Sequence, residues 1–101
     1  MKGKKAVKKK AADTNQKRKK VVFCANFPDA RAVCLVGDFN EWNDRKHPMK
    51  KNTEGRWEKY LLLYPGTYEY KFTVDGRWAN DAENSLVCTN SFGTSNNFIV
   101  V

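Results

Sequence analysis

The sequence has little cysteine, a single histidine and no long apolar run, and each shortage closes a functional class. Cys24, Cys34 and Cys88 form neither a CxxC pair nor an even disulfide set. Each sits among apolar neighbours in a strand-like run, which reads as small buried hydrophobes in a reducing compartment and implies no metal site. His47 lies in KHPMKK, a polar loop before a proline, and reads as solvated rather than catalytic. There is no nucleophile elbow, phosphate-cradling glycine loop or zinc-ligand spacing, and SFGTSNN is too poor in glycine to supply a phosphate loop. Asp81 and Glu83 are paired carboxylates without the buried setting that general acid catalysis needs. The expectation is a chain with no catalytic residue, no cofactor and no metal. No stretch carries the apolar core of about 7 to 15 residues of a secretory signal, and none approaches a membrane span. A soluble, cytoplasmic protein without a membrane partner is therefore expected.

A length of 101 residues suits one small domain. The net charge of +8 suggests a polyanion binder until it is located along the chain. Residues 1–20 hold ten basic residues and one acid, Asp13, which leaves nine basic and ten acidic residues for the remainder. The charge therefore belongs to a tail, and residues 21–101 are close to neutral. The tail, MKGKKAVKKKAADTNQKRKK, has no aromatic residue and only Val7 as a branched apolar side chain. It cannot bury enough surface to offset its ordering entropy and is expected to be disordered.

From position 21 short apolar runs alternate with turn residues, and nothing repeats at helical spacing, which is an all-β signature. Strands are expected at 21–26, 31–37, 56–64, 67–75, 77–80 and 97–101. Turns are expected at Pro28–Asp29, Glu54–Gly55, Pro65–Gly66 and Asp75–Gly76. The stretches 38–53 and 81–96 are too polar and irregular to assign. Such a pattern reads as an immunoglobulin-like β-sandwich.

Residues 68–74 alternate strictly. Tyr68, Tyr70, Phe72 and Val74 point to the core, and Glu69, Lys71 and Thr73 to solvent. A two-residue hairpin at Asp75–Gly76 pairs Thr73 with Trp78 and Lys71 with Asn80, which puts Trp78 on the outer face with Lys71. The same arithmetic at Pro65–Gly66 pairs Leu63 with Tyr68 and Trp57 with Val74. It sends Trp57 to the core, Lys59 inward opposite Phe72, and Tyr60 to the outer face opposite Lys71. In GDFNEW, residues 37–42, Trp42 ends an apolar run where the chain turns and burial is hardest. Trp42 and Trp78 thus form a candidate contact patch among Asn, Lys and Thr. A pyranose ring can stack on an indole while Lys and Asn reach its hydroxyls; nucleobases have similar shape, so stacking alone does not discriminate.

The order VCLVGDFNEW at 33–42, GRW at 55–57, PGTYEYKFTVDGRW at 65–78 and NSFGTSNNFIVV at 90–101 resembles the family 48 carbohydrate-binding modules. Within that family it is similar to the glycogen-binding domain of the AMP-activated protein kinase beta subunit and to the early-set domain of isoamylase and branching enzymes. The resemblance covers nearly all of residues 21–101. It implies an early-set sandwich that binds α-1,4-linked glucan: glycogen, amylose or a maltooligosaccharide. Trp42 and Trp78 match the two tryptophans that stack on glucose, and Lys71 the lysine that reaches a hydroxyl. In the last loop Phe92 stands where leucine is usual, followed by Thr94 and Asn96 in matching places. The change to phenylalanine keeps an apolar wedge and alters its shape.

Two other classes of function stay open. The sandwich is also suited to act as a scaffold or regulatory module that meets a partner enzyme of glucan metabolism. Residues 1–20 alone could attach to nucleic acid or another polyanion.

Overall fold

The computed structural model describes residues 17–101, so the expectation of a disordered tail lies outside the described residues as far as residue 16. The chain forms strands β1 (Lys19–Ala25), β2 (Val33–Gly37), β3 (Lys50–Lys51), β4 (Trp57–Leu63), β5 (Thr67–Val74), β6 (Arg77–Ala79), β7 (Val87–Thr89) and β8 (Ser95–Val100). A 3-10 turn, Asp38–Asn40, follows β2. The strands build an immunoglobulin-like β-sandwich. One sheet has the order β1–β4–β3, and the other β2–β5–β8–β7, with β6 also paired to β5. Every pairing is antiparallel.

Strand β1 starts at Lys19, two residues before the apolar run, because Lys19 and Lys20 continue the ladder opposite Leu63 and Leu62. The Lys20 ammonium lies 4.7 Å from the Tyr60 ring centre, so the basic residues at this end are held by their stems and by an aromatic face.

The Asp75–Gly76 hairpin has the expected register, with Val74 opposite Arg77 and Thr73 opposite Trp78. Both turn residues have positive φ, 50° and 84°, the signature of a type I′ connection. The Pro65–Gly66 connection is not a hairpin. Here β4 leaves one sheet and β5 enters the other, so Leu63 pairs with Lys19 rather than Tyr68, and Lys59 lies opposite Phe23 rather than Phe72. Pro65 has no N–H to continue a ladder. Gly66 instead exchanges both backbone bonds with Val101, at 3.0 and 2.8 Å. Placing β4 and β5 in facing sheets lets their apolar rows cover each other, whereas side by side in one sheet both rows would need a third layer.

The core follows from that division. Phe23, Ala25, Trp57, Leu61 and Leu63 on one sheet face Val33, Leu35, Tyr70 and Phe72 on the other, with Met49 from the intervening loop. Phe23 meets Tyr70 edge-on at 5.1 Å across the layers. The three cysteines are half-buried, less so than the sequence suggests, and all are free thiols. Cys24 and Cys34 fall on the outward registers of β1 and β2, where the pleat turns them from the core.

Strand β2 lies so close to β5 that Gly37 has no room for a side chain. A Cβ there would stand 2.5 Å from the Glu69 carbonyl oxygen and 2.8 Å from Tyr70 Cβ. Its φ of −175° is ordinary extended backbone, so the constraint is steric alone. Gly37→Ala should therefore destabilise the domain by about 1 to 3 kcal/mol through overpacking, read as a lower urea midpoint with unchanged slope.

Candidate functional site

The outer face of β5 is not the solvated surface that its alternation suggests. Lys71 is only 9% exposed and Thr73 is buried as well, because loops from both ends of the sheet rise around them. Between those loops lies an open groove of about 780 Å³. Trp42, Lys71, Trp78, Phe92, Thr94 and Asn96, the six residues singled out from the sequence, all line it.

The wall carrying Trp42 is a short turn held from inside by Asn40, a fully buried amide. Asn40 Oδ1 accepts the Gly37 N–H at 3.0 Å, and its Nδ2 donates to the Leu35 carbonyl at 3.0 Å and to His47 Nδ1 at 2.8 Å. The last bond makes Nδ1 an acceptor, so the neutral ring carries its proton on Nε2. Trp42 N–H donates to the Gly37 carbonyl at 3.0 Å, which closes the turn. The indole is partly exposed and donates from Nε1 to Asp38 Oδ1 at 3.0 Å.

Trp78 stands on β6 opposite Thr73, 55% exposed, with its ring centre 6.4 Å from that of Trp42 and the two planes at 57°. Lys71, whose register leads to the groove floor, donates to Thr94 Oγ1 at 3.2 Å. Among the described residues that is its one hydrogen bond, and an ammonium has three donors.

The opposite wall is the loop 90–94, organised by Asn90. Its Oδ1 accepts from the Phe92 and Thr94 backbone N–H groups, and its Nδ2 donates to Thr94 Oγ1 and Asn96 Oδ1. Asn96 in turn donates to Glu69 Oε1 at 2.9 Å. The loop thereby projects Phe92 into solvent, 88% exposed. Asn97, one residue on, is buried on the other face and ties β8 to Asn80, Asp81 and Asn84.

Asp38, Glu69 and Asn90 also line the groove and escaped the sequence reading. Glu69 was within its reach, since it shares a face with Lys71. Asn90 is three residues before a glycine, as an Asx turn would have it. Tyr60 is not part of the site: it pairs with Val22 on the other sheet, so it cannot stand opposite Lys71. His47 is not a free loop residue either, being half-buried against Asn40. Among the described residues no group of three or more potential metal ligands gathers, in the groove or elsewhere.

Residues 20–101 match the family described as the glycogen recognition site of AMP-activated protein kinase. Over 72 residues, 71% of this chain, it is 42% identical to Protein FLOURY ENDOSPERM 6, chloroplastic, of Oryza sativa subsp. japonica and 40% identical to Protein PTST homolog 2, chloroplastic, of Arabidopsis thaliana. It is 43% identical over 61 residues, 57% of this chain, to a 1,4-alpha-glucan branching enzyme GlgB of Prochlorococcus marinus strain NATL2A. The aligned segment is 13% of each of the first two relatives and 8% of the third. Among solved structures, the maltogenic amylase from S. marinus superposes with a TM-score of 0.69 at 26% identity, covering 83% of this chain and 14% of that one.

The Asn40–His47 bond makes the turn that carries Trp42 sensitive to acid. Burial, then the charges of Lys59 and Lys46, hold the His47 pKa below the usual 6.5. The folded state thus takes up its proton later than the unfolded chain does, so this contribution is present above the unfolded value of 6.5 and is lost as pH falls through the folded value. Lowering pH from about 7.5 to about 5 should reduce the urea midpoint, and the reduction should shrink in His47→Gln. A His47 ring titration by NMR at or above 6.5 would contradict this.

Proposed function

The chain belongs to the family of the glycogen recognition site of AMP-activated protein kinase, a carbohydrate-binding module, and we propose that its groove binds α-1,4-linked glucan by stacking on Trp42 and Trp78. The observation that carries this reading is the pair of indoles, 6.4 Å apart and inclined at 57°, above the buried Lys71 ammonium. Two inclined apolar faces suit successive rings of a curved chain better than the parallel faces of stacked bases. Each stacked ring contributes about 1 to 2 kcal/mol through apolar burial. Lys71, Thr94 and Asn96 supply polar groups at the level of the ring hydroxyls, and Phe92 acts as an apolar wedge from the opposite wall. On this reading the work of the module is to hold polymer.

A second reading is favoured by the size of the relatives. In each, the matched segment is a small part of a longer protein, one of them a 1,4-alpha-glucan branching enzyme. The module would then deliver glucan to a partner enzyme of glucan metabolism, whether that enzyme lies on the same chain or another.

Co-sedimentation with glycogen and amylose tests the glucan reading. The double variant Trp42→Ala, Trp78→Ala should lose about 2 to 4 kcal/mol of binding, enough to abolish pelleting. Removal of residues 1–16, which spares β1, should leave binding intact. Binding that survives the double variant but disappears with the truncation would instead assign attachment to the basic tail, and its steep loss with salt would mark a polyanion interaction.

A further inference from the structure

The angle between the two indoles, 57°, depends on how the turn that carries Trp42 is held. Glu41 and Trp42 both occupy the left-handed backbone region, with φ of 57° and 58°, where a non-glycine residue is disfavoured. The Trp42 ring is partly exposed and neighbours the Trp78 ring at 6.4 Å, and among the described residues its Nε1–H has one hydrogen-bond partner. The carboxylate of Asp38 supplies the restraint. Its Oδ1 accepts the Trp42 Nε1–H at 3.0 Å, and its Oδ2 accepts the Glu69 backbone N–H at 2.8 Å. That N–H lies one residue beyond the last ladder pair of β2 with β5, Gly37 with Tyr70, so the carboxylate occupies the place of the next strand carbonyl. One side chain therefore ties the edge of the Trp42 indole to β5, two residues before Lys71.

We infer that Asp38 is a positioning residue for ligand binding: its carboxylate clamps the Trp42 indole to β5 and so sets the angle between the two indoles on which sugar stacks. The inference rests on the glucan reading above. It requires a carboxylate in particular, because two N–H donors converge on it and both need acceptor oxygens. An amide of the same shape offers one oxygen and an amino group, so one of the two donors would face another donor. Asp38→Asn thus keeps the volume of the side chain and breaks the clamp.

Two readouts test it. In the unliganded protein, indoles this close give an exciton couplet in circular dichroism, assigned by its loss in Trp42→Phe and in Trp78→Phe. Asp38→Asn should diminish or invert that couplet while the strand signal persists, and should weaken maltoheptaose binding about tenfold by calorimetry. An unchanged couplet, or an altered couplet with maltoheptaose affinity retained, overturns the inference. If the wild-type chain binds no maltoheptaose, the glucan reading fails on its own, and the couplet still decides whether Asp38 orients the indole. If Asp38→Asn does not fold, hydrogen exchange in the wild-type protein decides: the clamp requires the Trp42 Nε1–H to exchange more slowly than that of Trp78, and equal rates overturn it.

Discussion

Burial of the Tyr70 and Phe72 rings between the sheets is the constraint on which the rest of the molecule depends. Tyr70 packs edge-on against Phe23, and its hydroxyl donates to Asp81 at 2.7 Å while accepting from Asn84 at 3.0 Å. Desolvation, then the hydrogen bond to Asp81, raises its pKa far above the usual phenol value, so it stays a neutral donor. Because side chains alternate along a strand, seating these two rings commits Lys71 and Thr73 to the opposite face. The groove floor is thus the reverse side of the core, as rigid as the strand that carries both. Strand β5 is paired along both edges, by β2 on one and by β8 and β6 on the other, so neither set can shift by one residue without exchanging core for floor.

The groove walls, by contrast, are polar loops with little apolar surface to bury, and asparagine amides order them. Asn40 holds the turn before Trp42 and Asn90 the loop that projects Phe92, while on the other face Asn97 does the same for the segment 80–84 behind β8. An asparagine side chain both donates and accepts, so one residue satisfies backbone groups that a loop would otherwise leave unpaired. Walls ordered before a ligand arrives lose less entropy when it binds, which matters for a shallow open site whose individual contacts are weak. The same economy extends to residues that touch no ligand, and it ties the stability of the turn beside Trp42 to the protonation of His47.

Much of this was legible from residue order. The strict alternation at 68–74 and the Asp75–Gly76 turn place Lys71, Thr73 and Trp78 on one face with the observed register. Trp57 lies in the core as expected, although its ladder partner is Ala25 rather than Val74, because β4 belongs to the facing sheet. The connection at Pro65–Gly66 was not legible, since a hairpin and a crossing between sheets need similar turn residues; the difference lies in Val101, which pairs with Gly66 from the far end of the chain. Strands β3 and β7 are short pieces within polar stretches, and β3 owes its place to Lys50 and Lys51 lying along β4 rather than to any pattern of its own. Asp38 and Asn90 were overlooked because a polar residue in a loop carries no periodic signal, and its role depends on which donors the fold brings to it.

By itself the sequence determined the fold class and the faces of β5, because each follows from local rules: the two-residue period of a strand and the backbone freedom of Asp75–Gly76; Phe92, Thr94 and Asn96 follow from the family resemblance rather than from any period. The tertiary structure alone decided which sheet β4 joins, that Lys71 and Thr73 are buried rather than solvated, and that Trp42 and Trp78 meet 6.4 Å apart. These outcomes depend on pairings between segments tens of residues apart, such as Asp38 with Glu69 and Gly66 with Val101. Such pairings form because backbone donors and acceptors must be satisfied once apolar faces have closed on each other, a condition of the whole chain rather than of any stretch within it.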